Sequence, residues 1–409
     1  MSKHIAIVGA GPVGVVAALA AVQQGFRVSL YEAEGEVDDS PRAATTHSST
    51  LEMIARVGLI DRFVAEGLTA RYFQFWDQTA QKLVAQFDHE ILKDDTPYPF
   101  VVQTEQHKLG NMGIEKLRTY ADASVHFHHA ITAVSQTGDG VTMTASTPDG
   151  EVRIDADYVI AADGGRSTLR KALDIPFDGM TWPERFIVIT VKDDFEQLMG
   201  CCYRNYLAHP GAWTNLFKIS GDDMQGRWRA VFPSEVDETD EQALSDEAVA
   251  RRLAHVFPRT EPYQVLHRNI YRVHQRVAAS FRKGRVFLAG DAAHVNNPIG
   301  GLGLNCGIHD AMELVDMLSA VERGEEDASV FDRYERRRRQ MNIEFVQQQT
   351  VNNKKRLEEK DPVVRAQALD DIRKISEDPD KHRQFLLRSS LIDSVRKAYG
   401  SYVALDDVS

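Results

Sequence analysis

Near the start of the chain, Gly9-Ala10-Gly11-Pro12-Val13-Gly14 has the residue types and spacing to hold a pyrophosphate. Gly9 permits a tight turn, Gly11 lets bare backbone approach phosphate oxygens, and Gly14 allows a helix to pack closely on a strand. The motif follows the apolar run His4–Val8. It opens a segment, Gly14–Gln24, that carries Val15, Leu19 and Val22 at helical spacing, with Gly25 as the stop. A helix starting there turns unpaired N–H groups and a partial positive charge toward the anion. Glu32, at the end of the next apolar run (Phe26–Glu32), is placed to accept from ribose hydroxyls. Strand, helix and acid together indicate a dinucleotide site, since a glycine turn that merely packs does not explain the acid. The motif alone leaves NAD and FAD open.

Two later segments bear on that choice. Ala161-Ala162-Asp163-Gly164-Gly165-Arg166-Ser167 ends a strand with an acid–glycine pair, and its serine can cap a helix over Thr168–Leu173. Arg285 to His294 ends another strand with Gly290-Asp291 and leads into Pro298-Ile299-Gly300-Gly301-Leu302-Gly303-Leu304-Asn305. In this order and spacing the three motifs resemble those of the group A flavoprotein monooxygenases, the single-component aromatic hydroxylases similar to 4-hydroxybenzoate and phenol hydroxylases. The resemblance covers about residues 4–345 and implies non-covalent FAD. Glu32 would then take the adenosine ribose and Asp291 the ribityl hydroxyls, and the Asp163 segment would serve both FAD and the nicotinamide donor. Gly301, Gly303, Leu304 and Asn305 would lie against the isoalloxazine at a helix N-terminus. Reduced flavin is anionic at one edge, and N–H groups opening a helix stabilise that charge. Gln103 resembles the family glutamine near the flavin phosphates and ribityl chain. By the same match the Pro298 carbonyl lies near the reacting edge.

Pro41-Arg42-Ala43 resembles a loop of the phenol hydroxylase-type members whose arginine assists flavin movement; a solvated loop arginine is the alternative. His47 lies between these landmarks and is a candidate to face the active site, although a lone histidine is more often structural. Tyr203 and His47 are candidates to hold a phenol oxygen. Substrate candidates on the middle strands are Trp213, Asn215 and Phe217, whose alternation with Thr214 and Leu216 puts them on one face. His126-Phe127-His128-His129 is read as strand residues on opposite faces, not as metal ligands. The run Arg336–Arg339 is read as a solvated helix, because four consecutive positions cannot share one face.

These residues need a scaffold. A βαβ unit at the N-terminus implies a parallel sheet with a right-handed crossover. Ser124–Phe127, Ile131–Gln136 and Val141–Ser146 are predicted as a small antiparallel meander. Residues 187–232 are predicted as antiparallel strands, and Leu304–Glu322 and the charged tail from Asp332 as helices. The fold class is α/β: a Rossmann-like FAD-binding domain with its meander, a mixed-sheet substrate domain and C-terminal helices. The expected domains are residues 1–180 with 280–345, then 181–279, then a helical segment 346–409.

Composition narrows the classes. The chain has 409 residues, 43% hydrophobic and 26% charged, as in an ordinary globular protein with a large core. Its net charge of −12 argues against a nucleic-acid partner. No run approaches the ~18 apolar residues of a membrane span. Three cysteines, two of them adjacent, make no disulfide framework, which fits a reducing cytoplasmic setting.

The resemblance implies an FAD-dependent monooxygenase using NADH or NADPH and O2 to hydroxylate a phenol or hydroxypyridine-like ring through a flavin C4a-hydroperoxide, as monomer or homodimer. Same-fold alternatives are epoxidation, decarboxylative hydroxylation and dehydrogenation. A binding module resembling the GDP-dissociation inhibitors would lack the intact flavin loops present here.

Overall fold

The computed structural model describes residues 2–40 and 44–397, so Pro41, Arg42 and Ala43 lie outside the described residues. The five residues His4–Val8 are all buried because strands flank them on both edges. Arg27–Tyr31 pairs parallel on one side and Tyr158–Ala161 on the other. Val286–Leu288 extends the sheet beyond Tyr158–Ala161, with Arg282–Lys283 as an antiparallel edge. A parallel strand with helices on both faces reads as a continuous apolar run, which is how His4–Val8 and Tyr158–Ala161 read. The opposite edge is Ala123–His126, parallel to Arg27–Tyr31. This corrects the placement of residues 124–127 in the meander. The helix Gln106–Leu117 precedes that strand and makes a second crossover, so the strand returns to the parallel sheet. The meander consists of Ala130–Gln136, Val141–Thr147 and Gly150–Ala156.

The eight-stranded sheet runs His294–Val295, Val265–Ala278, Phe177–Val191, Arg227–Pro233, Thr214–Ile219, Arg204–Ala208, Tyr72–Asp77, Lys82–Asp88. Its pairs are antiparallel except Arg204–Ala208 with Tyr72–Asp77. Alternate residues of one strand feed different cores: Phe186 and Val188 face one way, Ile187, Ile189 and Val191 the other. The first face is covered by Leu357, Leu369, Ile372 and Leu386 of the C-terminal helices. The second is covered by Val249 and Leu253 of the helix Asp246–Val256. Strands 72–88, expected with the N-terminal part, therefore belong to this sheet.

The arginine run also departs from expectation. Of the run Arg336–Arg339, on the helix Val330–Gln340, only Arg336 is exposed; Arg337 and Arg338 are buried. Arg338 Nε donates to Asp310 Oδ1 at 2.6 Å, and Arg337 Nε lies 3.4 Å from Glu313. Asp310 and Glu313 sit one turn apart on the long helix Leu302–Glu322, and their charges draw two of the four guanidinium groups inside. Tyr31 stacks on His126, with ring centroids 4.9 Å apart. Among the described residues, no group of three or more His, Cys, Asp or Glu is arranged to hold a metal ion. No described helix is long and apolar enough to cross a membrane.

Candidate active site

The glycine motif divides its labour by sterics. A Cβ on Gly14 would lie 1.9 Å from the Gly9 carbonyl oxygen, and one on Gly9, at φ +103°, would lie 2.4 Å from that of Ala162. Those two positions serve packing. A Cβ on Gly11 would meet nothing within 4 Å, so the space above it is open to a ligand. Gly11 is also the N-cap of the helix Pro12–Gln23 and supplies no side-chain cap, which leaves the first-turn N–H groups of Val13 and Gly14 for an acceptor. Glu32 braces the loop: its carboxylate accepts from the N–H of Ala10 at 2.8 Å and of Glu34 at 3.1 Å.

Two further elements present buried polar atoms without hydrogen-bond partners. Gln103 accepts from Thr45 Oγ1 at 2.6 Å, while its buried Nε2 has no hydrogen-bond partner. Asp163 accepts from the N–H groups of Thr168 and Leu169, while its buried Oδ1 has none. Burial raises the Asp163 carboxyl above the usual range, against hydrogen bonds from Ser167 and the helix start. Ser167 caps the helix Thr168–Ala172 by accepting from Arg170 N–H, as expected. Asp291 is exposed on the turn Gly290–Ala292, and the Gly290 N–H donates to Asp310 at 3.0 Å.

The loop at 298–301 ends in Gly301, in the left-handed region at φ +68°, which opens the helix Leu302–Glu322 with no side-chain cap. Gly303 and Leu304 are half-buried in its first turn. Asn305, fully buried, ties this turn to the chain at 45–47. Its Nδ2 donates to the carbonyls of Thr45 and Gly301, and its Oδ1 accepts from the His47 N–H at 2.8 Å. Pro298 is exposed, and its carbonyl accepts from the Gly301 N–H at 3.0 Å. Two uncapped helix starts, an orphaned buried donor and an orphaned buried acceptor fit a molecule with a pyrophosphate, ribose-like hydroxyls and a ring that gains negative charge. FAD has these parts.

Beside Gly300 lies a narrow cavity, part open to solvent. Its sheet side is Phe73, Phe75, Arg204 and Tyr206; its helical side is Gln349, Asn353 and Leu357 with Phe385 and Ser389. Arg204 is 6% exposed, and among the described residues no carboxylate pairs with it. It donates to the Tyr206 hydroxyl at 2.8 Å and the Gly300 carbonyl at 3.3 Å, and its guanidinium lies 5.1 Å from the Phe73 ring centroid. His47 donates from Nε2 to the same Gly300 carbonyl at 2.9 Å, which leaves the buried Nδ1 as an unpartnered acceptor. Burial and then the Arg204 charge hold this imidazole well below its ordinary pKa, so it is neutral. His47 thus touches the loop that borders the cavity and does not line it.

Tyr203 stands apart from the cavity. Its ring lies 5.0 Å from Lys218 Nζ, on the side of Asp194 and Trp228, because strand alternation sends it opposite to Arg204 and Tyr206. Trp213, Asn215 and Phe217 do share one face. Asn215 lies across from Tyr206 and Phe217 across from Arg204. None of the three lines the cavity: Trp213, 1% exposed, packs on Phe186. Sequence reasoning missed Arg204 and Tyr206, which the Tyr203 alternation signals once the inner face is known. It also missed Gln349, Asn353 and Phe385, which lie in no motif.

A family model described as an FAD binding domain matches residues 2–349. A para-nitrophenol 4-monooxygenase from Pseudomonas sp. (strain WBC-3) is 35% identical over 94% of this chain and 94% of its own length. The 6-hydroxy-3-succinoylpyridine 3-monooxygenase HspB of Pseudomonas putida (strain DSM 28022 / S16) is 31% identical over 94% and 97%. The crystal structure of p-nitrophenol 4-monooxygenase PnpA from Pseudomonas putida DLL-E4 superposes with a TM-score of 0.88, at 33% identity, over 94% of this chain and 97% of that one.

Proposed function

The chain belongs to the family of FAD-dependent aromatic hydroxylases, and from that premise we propose that it hydroxylates a small single-ring phenol or hydroxypyridine held as its oxyanion against Arg204. FAD, when bound, supplies the redox chemistry, taking a hydride from NADH or NADPH and activating O2; the products are a hydroxylated ring, NAD(P)+ and water.

The chain's own groups bind, orient and exclude water. Gly11 and the first turn at Pro12, Val13 and Gly14 take the pyrophosphate, Glu32 the adenosine ribose, and Gln103, Asp163 and Asp291 the remaining polar length of the cofactor. The N–H groups after Gly301, at Gly303 and Leu304, face the ring edge that becomes negative, while Asn305 holds the turn in place.

The observation that carries the substrate reading is the buried Arg204 cation, which has no carboxylate partner among the described residues and is set among Phe73, Phe75 and Tyr206. A guanidinium in such surroundings favours a ring oxygen in its anionic form, and the anion is the electron-rich form that accepts an oxygen atom most readily. The Tyr206 hydroxyl oxygen accepts from Arg204, so its own hydrogen is free to donate to that ring oxygen. Neutral His47 orients the Gly300 carbonyl through its one N–H and carries no positive charge near pH 7.

A panel of phenols and hydroxypyridines, followed by NAD(P)H consumption and product mass, tests the reading. The expected result is ring-stimulated consumption with a product heavier by one oxygen, and a KM raised about 10–100-fold in Arg204→Gln, from loss of a charged hydrogen bond. Consumption without hydroxylated product for every ring would refute it.

A further inference from the structure

The helical side of the cavity carries an amide that the protein does not use. Gln349 lines the cavity from the helix Gln348–Glu358, and its Oε1 is buried with no hydrogen-bond partner. Neighbouring amides are occupied. Gln275 accepts from the Asn297 N–H at 3.1 Å and donates to Thr350 Oγ1 at 3.2 Å. Asn353, one turn after Gln349 on the same face, donates to the Ile299 carbonyl at 3.4 Å and so holds this helix against the loop at 298–301. Buried amides in folded proteins are almost always satisfied, so an unsatisfied one facing a cavity points to a partner outside the chain.

Gln349 and Arg204 lie on opposite sides of that cavity, on helix and sheet. We propose that Gln349 is a specificity-determining residue, and that its amide oxygen accepts from a donor on a second substituent of the ring, such as a hydroxyl or amino group. This rests on the hydroxylase reading, with the phenol oxygen at Arg204. The enzyme's preferred substrates are then single rings polar at two positions, and a ring whose second substituent is an alkyl group of the same size leaves the amide unsatisfied. The discrimination resides in the C-terminal helices, outside every motif that holds the cofactor.

The test uses the FAD-loaded enzyme with 4-(hydroxymethyl)phenol and 4-ethylphenol, two rings of similar size and shape of which only the first carries a second donor. Binding is read as the change in flavin absorbance, with wild type, Gln349→Leu and Gln349→Met. Wild type should prefer the hydroxymethyl ring, and both variants should lower the ratio of the two affinities about 5–20-fold, chiefly by weakening the hydroxymethyl ring. FAD affinity should stay within twofold, and thermal stability should hold or rise, because an unsatisfied buried amide is removed. A ratio unchanged by both variants, or an equal loss for both rings, overturns the assignment while leaving the hydroxylase reading intact. A wild type whose flavin responds to neither ring, and which oxidises NAD(P)H with neither, overturns both.

Discussion

Asp310→Asn tests whether the buried ion cluster under the Gly290-Asp291 turn holds the cofactor loop. The carboxylate is fully buried and accepts from Arg338 Nε at 2.6 Å, His294 Nε2 at 2.6 Å and the Gly290 N–H at 3.0 Å. Burial alone would raise this carboxyl; Arg338 and His294 beside it more than offset that and hold it below its ordinary range. The substitution keeps the shape, removes the charge and turns an amide NH2 toward one of three donors. Arg338 is left with Glu313 at 3.6 Å and the Cys306 carbonyl at 3.1 Å. Removing one partner of a buried pair costs about 3–5 kcal/mol, because the other charge stays buried. Urea unfolding at saturating FAD should show a loss of that order, and fluorescence titration should show weaker FAD binding, since the Gly290 N–H loses its acceptor. The double variant Asp310→Asn, Arg338→Met removes both charges and should recover most of the stability, since a neutral replacement of a buried pair is often tolerated. The sign with pH follows from the depressed carboxyl. Its contribution is present above the unfolded value of ~3.9 and is lost as pH falls through the lower folded value, so wild type and Asp310→Asn should converge in acid. A double variant as unstable as the sum of its singles, or a single variant of wild-type stability, would refute the electrostatic argument.

The two loop glycines should separate. Gly14→Ala should destabilise the protein and abolish FAD binding, because the new methyl meets the Gly9 carbonyl at 1.9 Å, whereas Gly11→Ala should fold normally and only weaken FAD binding; equal thermal stability of the two would contradict this division. Asp291→Ala should lower FAD affinity about 10–100-fold with the fold intact, measured by ultrafiltration of the yellow protein, and unchanged retention would remove Asp291 from the cofactor site. His47, His89 and His309 are buried and held neutral: the first well below its usual pKa, the others near 4 and 3. Stability should therefore fall as pH drops below ~6.5 toward the folded values, by about 1.4 kcal/mol per pH unit for each, and a flat urea midpoint between pH 6.5 and 5 would contradict it.

The cofactor loops were legible because their requirements are steric and local. Few residues other than glycine tolerate the contacts at Gly9 and Gly14, and an acid after the second strand has a partner in the loop itself. The ring pocket was not legible, for two reasons. Strand alternation put Trp213, Asn215 and Phe217 together and separated Tyr203 from Arg204, but which face is inner depends on helices far along the chain. The burial of Arg337 and Arg338 likewise depends on Asp310 and Glu313, more than 20 residues earlier. Their spacing of three on a largely apolar helix is the available signal. The strand at 123–126 was misassigned through its neighbours; the helix before it marks a crossover back to the parallel sheet.

The helices Gln348–Glu358 and Pro379–Ser389 have a consequence for biosynthesis. A chain made from its N-terminus folds in that order, so the glycine loop, Asp163, Asp291 and the turn at Gly301 are all translated before Gln349, Phe385 and Ser389. The ring chamber is the last compartment to be walled. Until the ribosome delivers those helices, the side of Gly300 they later cover stands open.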